Sequence, residues 1–154
     1  MPARNHQRLV TVAMLGLIAL APVMTGCLQI LVALLPEPTT QNLAPVISVE
    51  DAHTMIQDMQ GDPNLVIMDV RTPNEYADGA IENAVNQCLA CSKNFAKDLE
   101  AHDKTLTYIV YGSSDDTRSG RATDTMVELE FPNVWHMSAG IEGWLAAGYP
   151  TVIP

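Results

Sequence analysis

The sequence predicts an α/β domain: a mostly parallel sheet covered by helices on both faces, preceded by an N-terminal signal or anchor segment. Three observations carry this. From residue 46 onward, short strand-like apolar runs alternate with stretches of helical periodicity. The two strongest strand signals, 65–68 and 106–111, are near-continuous apolar runs, as expected of strands buried on both faces. The first 35 residues differ in composition, with a basic start and then a long apolar run.

Within the domain the elements follow in order. Ser48 and Asp51 form a capping pair for a helix over 49–60, whose Val49, Ala52, Ile56 and Met59 keep one apolar face, and Gly61 stops it. Leu65-Val66-Ile67-Met68 is the first buried-type strand. Pro73 opens a brief helix that ends at Gly79, because proline suits a first helical turn and glycine an exit. A weak strand is expected at 84–86 and a helix at 94–101. The 106–111 strand leads into a loop and a helix from about 118 to 130, with Ala122, Met126 and Leu129 on one face. A strand at 134–136 and a helix at 141–147 complete the alternation. In such sheets ligands bind beyond the carboxyl ends of the strands, which places any chemistry at 69–72, 87–91, 112–117 and 137–140.

The N-terminal segment holds Arg4, His6 and Arg8, followed by an uncharged stretch over 9–24 that ends in Met24-Thr25-Gly26-Cys27. A basic end before an apolar run is the pattern of a secretory signal. The last four residues resemble a bacterial lipobox, which implies cleavage after 26 and lipidation of Cys27. The rival expectation is an uncleaved anchor over 9–35, which at about 1.5 Å per residue spans roughly 40 Å, enough to cross a bilayer core with tilt. Both place the domain outside the cytoplasm, held at a membrane through its N-terminus. The organisation expected is therefore a signal over 1–27, a linker over 28–45, a domain over 46–150 and a tail over 151–154.

Charge limits the partners. All 18 acidic residues lie at or after Glu37, against six Lys and Arg there. So acidic a surface repels nucleic acid phosphates and anionic headgroups, and no basic patch interleaved with aromatic residues offsets it. No nucleic acid partner is expected; membrane lipid at the N-terminus and an unidentified protein are.

Three segments stand together in order: Asp69-Val70-Arg71-Thr72-Pro73-Asn74-Glu75-Tyr76 with Gly79-Ala80-Ile81; Ile109-Val110-Tyr111 with Arg118-Ser119-Gly120-Arg121-Ala122; and Gly140-Ile141-Glu142-Gly143-Trp144 with Ala147-Gly148-Tyr149-Pro150. In this spacing the chain resembles the single-domain rhodanese family over about 105 residues, 46–150. The resemblance implies a cysteine at the end of the central strand that takes up sulfane sulfur as a persulfide. It also implies a loop that turns its N–H groups inward to hold an anion and lower the thiol pKa.

That loop here is Gly112, Ser113, Ser114, Asp115, Asp116, Thr117, Arg118 and Ser119, with no cysteine. Matching Arg118-Ser119-Gly120 puts the family cysteine at Ser113, and matching the strand end puts it at Gly112. A Ser113 hydroxyl is a far weaker nucleophile, has no base in the loop, and cannot carry a persulfide. Asp115 and Asp116 oppose a bound anion; they form a solvated turn, paired or not with Arg118 and Arg121, or a poor cation site. Asp69 and Arg71 are implied to brace the loop, with Arg71 pairing Glu75 across the short helix. The family's usual histidine is replaced by Ala80. Trp144 and Tyr149 are expected in the core, and neither His53 nor His136 has metal-ligand spacing, so no metal or cofactor is expected.

With Cys27 lipidated, Cys88 and Cys91 remain as a C-x-x-C pair after the weak strand, on the rim of the empty loop. Three readings stay open: a local structural disulfide, a redox dithiol or relocated sulfur acceptor, and half of a metal site. The functional expectation is a tethered binding or scaffold module that is inactive as a cysteine sulfurtransferase. The alternative is sulfur transfer or thiol–disulfide exchange through Cys88 and Cys91.

Overall fold

The computed structural model describes residues 43–114 and 117–154. Cys27, the signal or anchor, most of the linker, Asp115 and Asp116 lie outside the described residues. Among the described residues nine elements alternate: α1 (Val49–Asp58), β1 (Leu65–Asp69), α2 (Pro73–Ala77), β2 (Val85–Asn86), α3 (Phe95–Leu99), β3 (Thr107–Tyr111), α4 (Thr117–Glu128), β4 (Val134–Met137) and α5 (Gly140–Ala146). The strands form one sheet in the order β2-β1-β3-β4, and every pairing is parallel.

Strand alternation sorts the core into two layers. Met68, Val70, Tyr108, Val110 and Val134 face one way, onto Phe95 and Leu99 of α3 and Ala122 and Met126 of α4. Ile67, Ile109, Tyr111 and Met137 face the other, onto Val49 and Ala52 of α1 and Ile141 and Trp144 of α5. Because both faces are covered, β3 is buried from Tyr108 to Tyr111 and reads as a continuous apolar run. Among the described residues no helix is long and apolar enough to cross a membrane.

The helices differ from expectation at their ends, where local hydrogen bonds decide. Ser48 caps α1 by accepting the Asp51 N–H, as the sequence suggests, and the chain leaves the helix at Met59. Thr72 and Glu75 form a reciprocal capping box at α2, which ends at Ala77, before Gly79. The 94–101 helix shortens to Phe95–Leu99, because Asn94 is its cap, its side chain accepting the Lys97 N–H. Helix α4 stops at Glu128, two residues early, and Glu130 takes a positive φ of 63° to turn the chain. The fold also reaches past both ends of the 46–150 span. Ala44 is buried, the Pro45 carbonyl accepts the His136 N–H, and Val152 pairs antiparallel with Ala80. Residues 44 and 45, expected in the linker, thus pack as part of the domain.

Candidate functional site

The carboxyl ends of the four strands meet on one rim, and the candidate residues lie along it. Asp69, the last residue of β1, is fully buried. A charge there needs a partner, and Arg71 supplies it: Arg71 Nη2 is 2.6 Å from Asp69 Oδ2, and the Arg71 N–H donates to Asp69 Oδ1 at 2.9 Å. Burial disfavours the Arg71 charge, but Asp69 beside it holds that guanidinium above its ordinary pKa. Arg71 Nη2 also donates to the Gly79 carbonyl at 2.7 Å, and its guanidinium lies 5.7 Å from the Tyr111 ring centre. Tyr111 Oη accepts the Ile81 N–H at 3.2 Å. Burial first, and the Asp69 charge next, push the Tyr111 phenol far above its usual range, so it stays neutral. Asp69 and Arg71 therefore fix the 79–81 turn against the end of β3.

Arg71 does not pair with Glu75, contrary to the sequence expectation. Arg71 precedes the helix, in a bend of the chain, and is occupied by Asp69, while the capping box turns the Glu75 carboxylate back over Thr72. From there Glu75 reaches Arg118, with Nη1 to Oε2 at 2.8 Å and Nη2 to Oε1 at 2.9 Å. Ser113 Oγ completes the cluster, donating to Glu75 Oε1 at 3.1 Å and accepting from Arg118 Nη2 at 2.9 Å. Arg118 first, then Thr72 and Ser113, hold the Glu75 carboxyl well below the usual carboxylate range. The sequence signal for this role was the Thr72-x-x-Glu75 box, which already commits Glu75 to the helix start rather than to Arg71.

The start of the loop is pinned from behind. Gly112 is buried, and the Gly112 and Ser113 carbonyls accept the Ile141 and Glu142 N–H groups at 3.0 and 3.2 Å. Gly140 has a φ of +59°, and a Cβ built there would lie 1.8 Å from the Ser113 oxygen. Only glycine permits that approach. Ser114 Oγ donates to Glu142 Oε2 at 2.8 Å, Thr117 is exposed at the start of α4, and buried Ser119 lies 3.0 Å from His136 Nε2. The Ser119–His136 contact has no counterpart in the sequence reading, because 17 residues and a helix separate the two.

Cys88 and Cys91 form a disulfide just beyond β2. Trp144 is buried, its Nε1 donates to the Pro150 carbonyl, and Tyr149 stacks on His53 at 3.9 Å, so this aromatic group packs the α1–α5 side of the core. Among the described residues no cluster of three His, Cys, Asp or Glu side chains is placed to hold a metal.

Comparison with known proteins agrees with this architecture. The rhodanese-like domain profile matches residues 52–147. A protein of Bacillus halodurans superposes with a TM-score of 0.60 at 18% identity, covering 71% of this chain and 77% of that one. The rhodanese-like domain of an Anabaena protein gives 0.58 at 23%, covering 71% and 80%. These two likenesses speak to fold. Among curated proteins, the tRNA uridine(34) hydroxylase of Legionella pneumophila strain Corby is 29% identical over 106 residues, 68% of this chain and 40% of that protein. The hydroxylase of Prochlorococcus marinus is 30% identical over 97 residues, 59% and 31% of the two chains. This chain spans less than half the length of these relatives. The parallel sheet, the pinned loop beyond β3 and the profile over 52–147 lead to one assignment: the chain belongs to the rhodanese-like domain family.

Proposed function

We propose that this chain is a member of the family that does not transfer sulfur through its loop, and that it works as a binding or scaffold module held at a membrane outside the cytoplasm. One observation carries the first half. Of the two positions onto which the family cysteine maps, Gly112 has no side chain and Ser113 presents a hydroxyl bonded to a Glu75–Arg118 ion pair, and residues 112–119 contain no cysteine. A thiolate nucleophile needs uncompensated positive charge or free donors around it. Here the Arg118 guanidinium is already neutralised by Glu75. The tether rests on the basic and apolar N-terminal pattern and the lipobox-like ending at Cys27. Acidic residues outnumber Lys and Arg 18 to 6 from Glu37 onward, which argues against a tRNA substrate like that of the curated relatives.

The test is thiosulfate:cyanide sulfur transfer by the full chain beside its Cys88→Ala/Cys91→Ala variant. The expected result is no turnover above the buffer in either. Turnover that disappears in the double variant would instead establish the second reading, sulfur transfer relocated to Cys88 or Cys91. That reading draws on the placement of Cys88 and Cys91 beyond β2, at the same end of the sheet as the loop. For the tether, fatty-acid incorporation in a bacterial host is expected for the native chain and lost in Cys27→Ser; incorporation that survives the substitution rules out the lipidated cysteine.

A further inference from the structure

We infer that Cys88 and Cys91 are a reversible redox couple that exchanges disulfide with a dithiol, a function separate from the loop. The bond does little for the fold. Its sulfurs join residues three apart, so it closes a very short loop and restricts the unfolded chain little. Both flanks are anchored without it. Before the pair, Asn86 Nδ2 donates to the Asp69 and Arg71 carbonyls, and the Gln87 N–H donates to the Asp69 carbonyl at 2.8 Å. Between the two cysteines, the Leu89 N–H bonds the Val70 carbonyl and its side chain packs on the core. After the pair, Ser92 Oγ bonds Asp98 and accepts the Asn94 N–H, and Asn94 caps α3. The disulfide is thus redundant as a staple.

It is also reachable: Cys91 is exposed and Cys88 half-buried. Exposed disulfides with little structural work are the ones that exchange. The two sulfurs are not equivalent. The Cys91 N–H points at Cys88 Sγ, at 3.1 Å, and stabilises negative charge on that sulfur in the reduced form.

The chemistry follows. A thiolate of a protein dithiol attacks the exposed Cys91 Sγ; the Cys88–Cys91 bond breaks, and Cys88 Sγ leaves as a thiolate held by the Cys91 N–H. The second substrate thiolate then attacks the substrate sulfur of the mixed disulfide, and Cys91 Sγ leaves. Two electrons pass from the dithiol to the pair. The substrate becomes a disulfide, and its two protons end on Cys88 and Cys91.

The test uses the full chain equilibrated in glutathione buffers from fully oxidised to fully reduced, with thiols tagged after acid quenching and counted peptide by peptide, so that Cys27 does not enter. The expected result is a single two-electron transition of the Cys88/Cys91 peptide inside the glutathione range, with the two forms melting within about 2 °C of each other. A pair that stays oxidised in every mixture, or that is reduced only as the domain unfolds, overturns the inference. Cys88→Ser and Cys91→Ser variants then test the polarity, through alkylation rate against pH. The Cys88 thiol is expected to ionise at the lower pH, and the reverse order contradicts the mechanism. Neither readout depends on sulfur transfer, so this inference and the proposed function fail separately.

Discussion

Glu75 and Arg118, 43 residues apart in sequence, meet through two parallel hydrogen bonds of 2.8 and 2.9 Å and lock the loop beyond β3 onto α2. Bidentate pairing of this kind adds geometric constraint as well as energy. The pair is partly exposed, so its worth is that of a screened contact reinforced by the capping box.

Glu75→Gln is therefore expected to lower unfolding free energy by about 1 kcal/mol near neutral pH. Its pH dependence carries a sign. The folded Glu75 carboxyl lies below its ordinary value of 4.5, so its contribution is complete above that value and drains as pH falls toward the depressed one. Thermal melts from pH 6 down to about pH 3 are expected to show the wild-type advantage over Glu75→Gln shrinking on acidification. A constant gap contradicts the assignment.

Ser113→Cys separates a missing atom from a missing environment. The new thiol would sit beside a carboxylate that accepts from residue 113 and already neutralises Arg118. Its pKa is expected at or above the ordinary value of about 8.5, without thiosulfate:cyanide turnover. Adding Glu75→Gln removes the carboxylate charge beside residue 113 and is expected to lower that pKa. Alkylation rates across pH read both, and a strongly acidic thiol in the single variant contradicts this view of the loop.

Asp69→Ala strands the Arg71 guanidinium in the buried end of the sheet. A loss of about 3–5 kcal/mol is expected from urea unfolding midpoints. A loss below about 1 kcal/mol would mean that the pair is solvated.

Glycine positions supply a matched contrast. Gly140→Ala places a Cβ on the Ser113 carbonyl, against backbone that cannot swing away, and is expected to cost about 3 kcal/mol or more. Gly148 has a similar φ, +81°, but open space around it, and Gly148→Ala is expected to cost about 1 kcal/mol. Equal effects would show that backbone strain alone, and not the contact with the loop, decides.

The sheet and its helices could be read from residues 46–150 because burial on both faces leaves unbroken apolar strands such as 107–111, and because a cap such as Ser48 is local. The rim was read less well, since its pairs are set by tertiary geometry. The Asp69–Arg71 pair spans two residues, yet its meaning depends on Gly79 and Tyr111, brought in from elsewhere. Arg71 and Glu75 look like helix neighbours in sequence, but Arg71 lies in the bend before α2, held by Asp69, and this leaves Glu75 for Arg118. Val152 and Ala44 carry no strand signal of their own; they pair or pack only because Ala80 and β4 are in place.

The most direct check on the loop is intact and peptide mass measurement of the reduced full chain after incubation with thiosulfate and, separately, with a persulfide donor. The expected result is no added sulfur on the peptide that holds 112–119, because the loop beyond β3 holds no atom that can carry it. None is expected to be retained on the Cys88/Cys91 peptide, where the second thiol displaces it as sulfide and re-forms the disulfide. One added sulfur atom on the Cys88/Cys91 peptide, formed by thiosulfate and discharged by cyanide, would contradict the account and make this domain a sulfurtransferase.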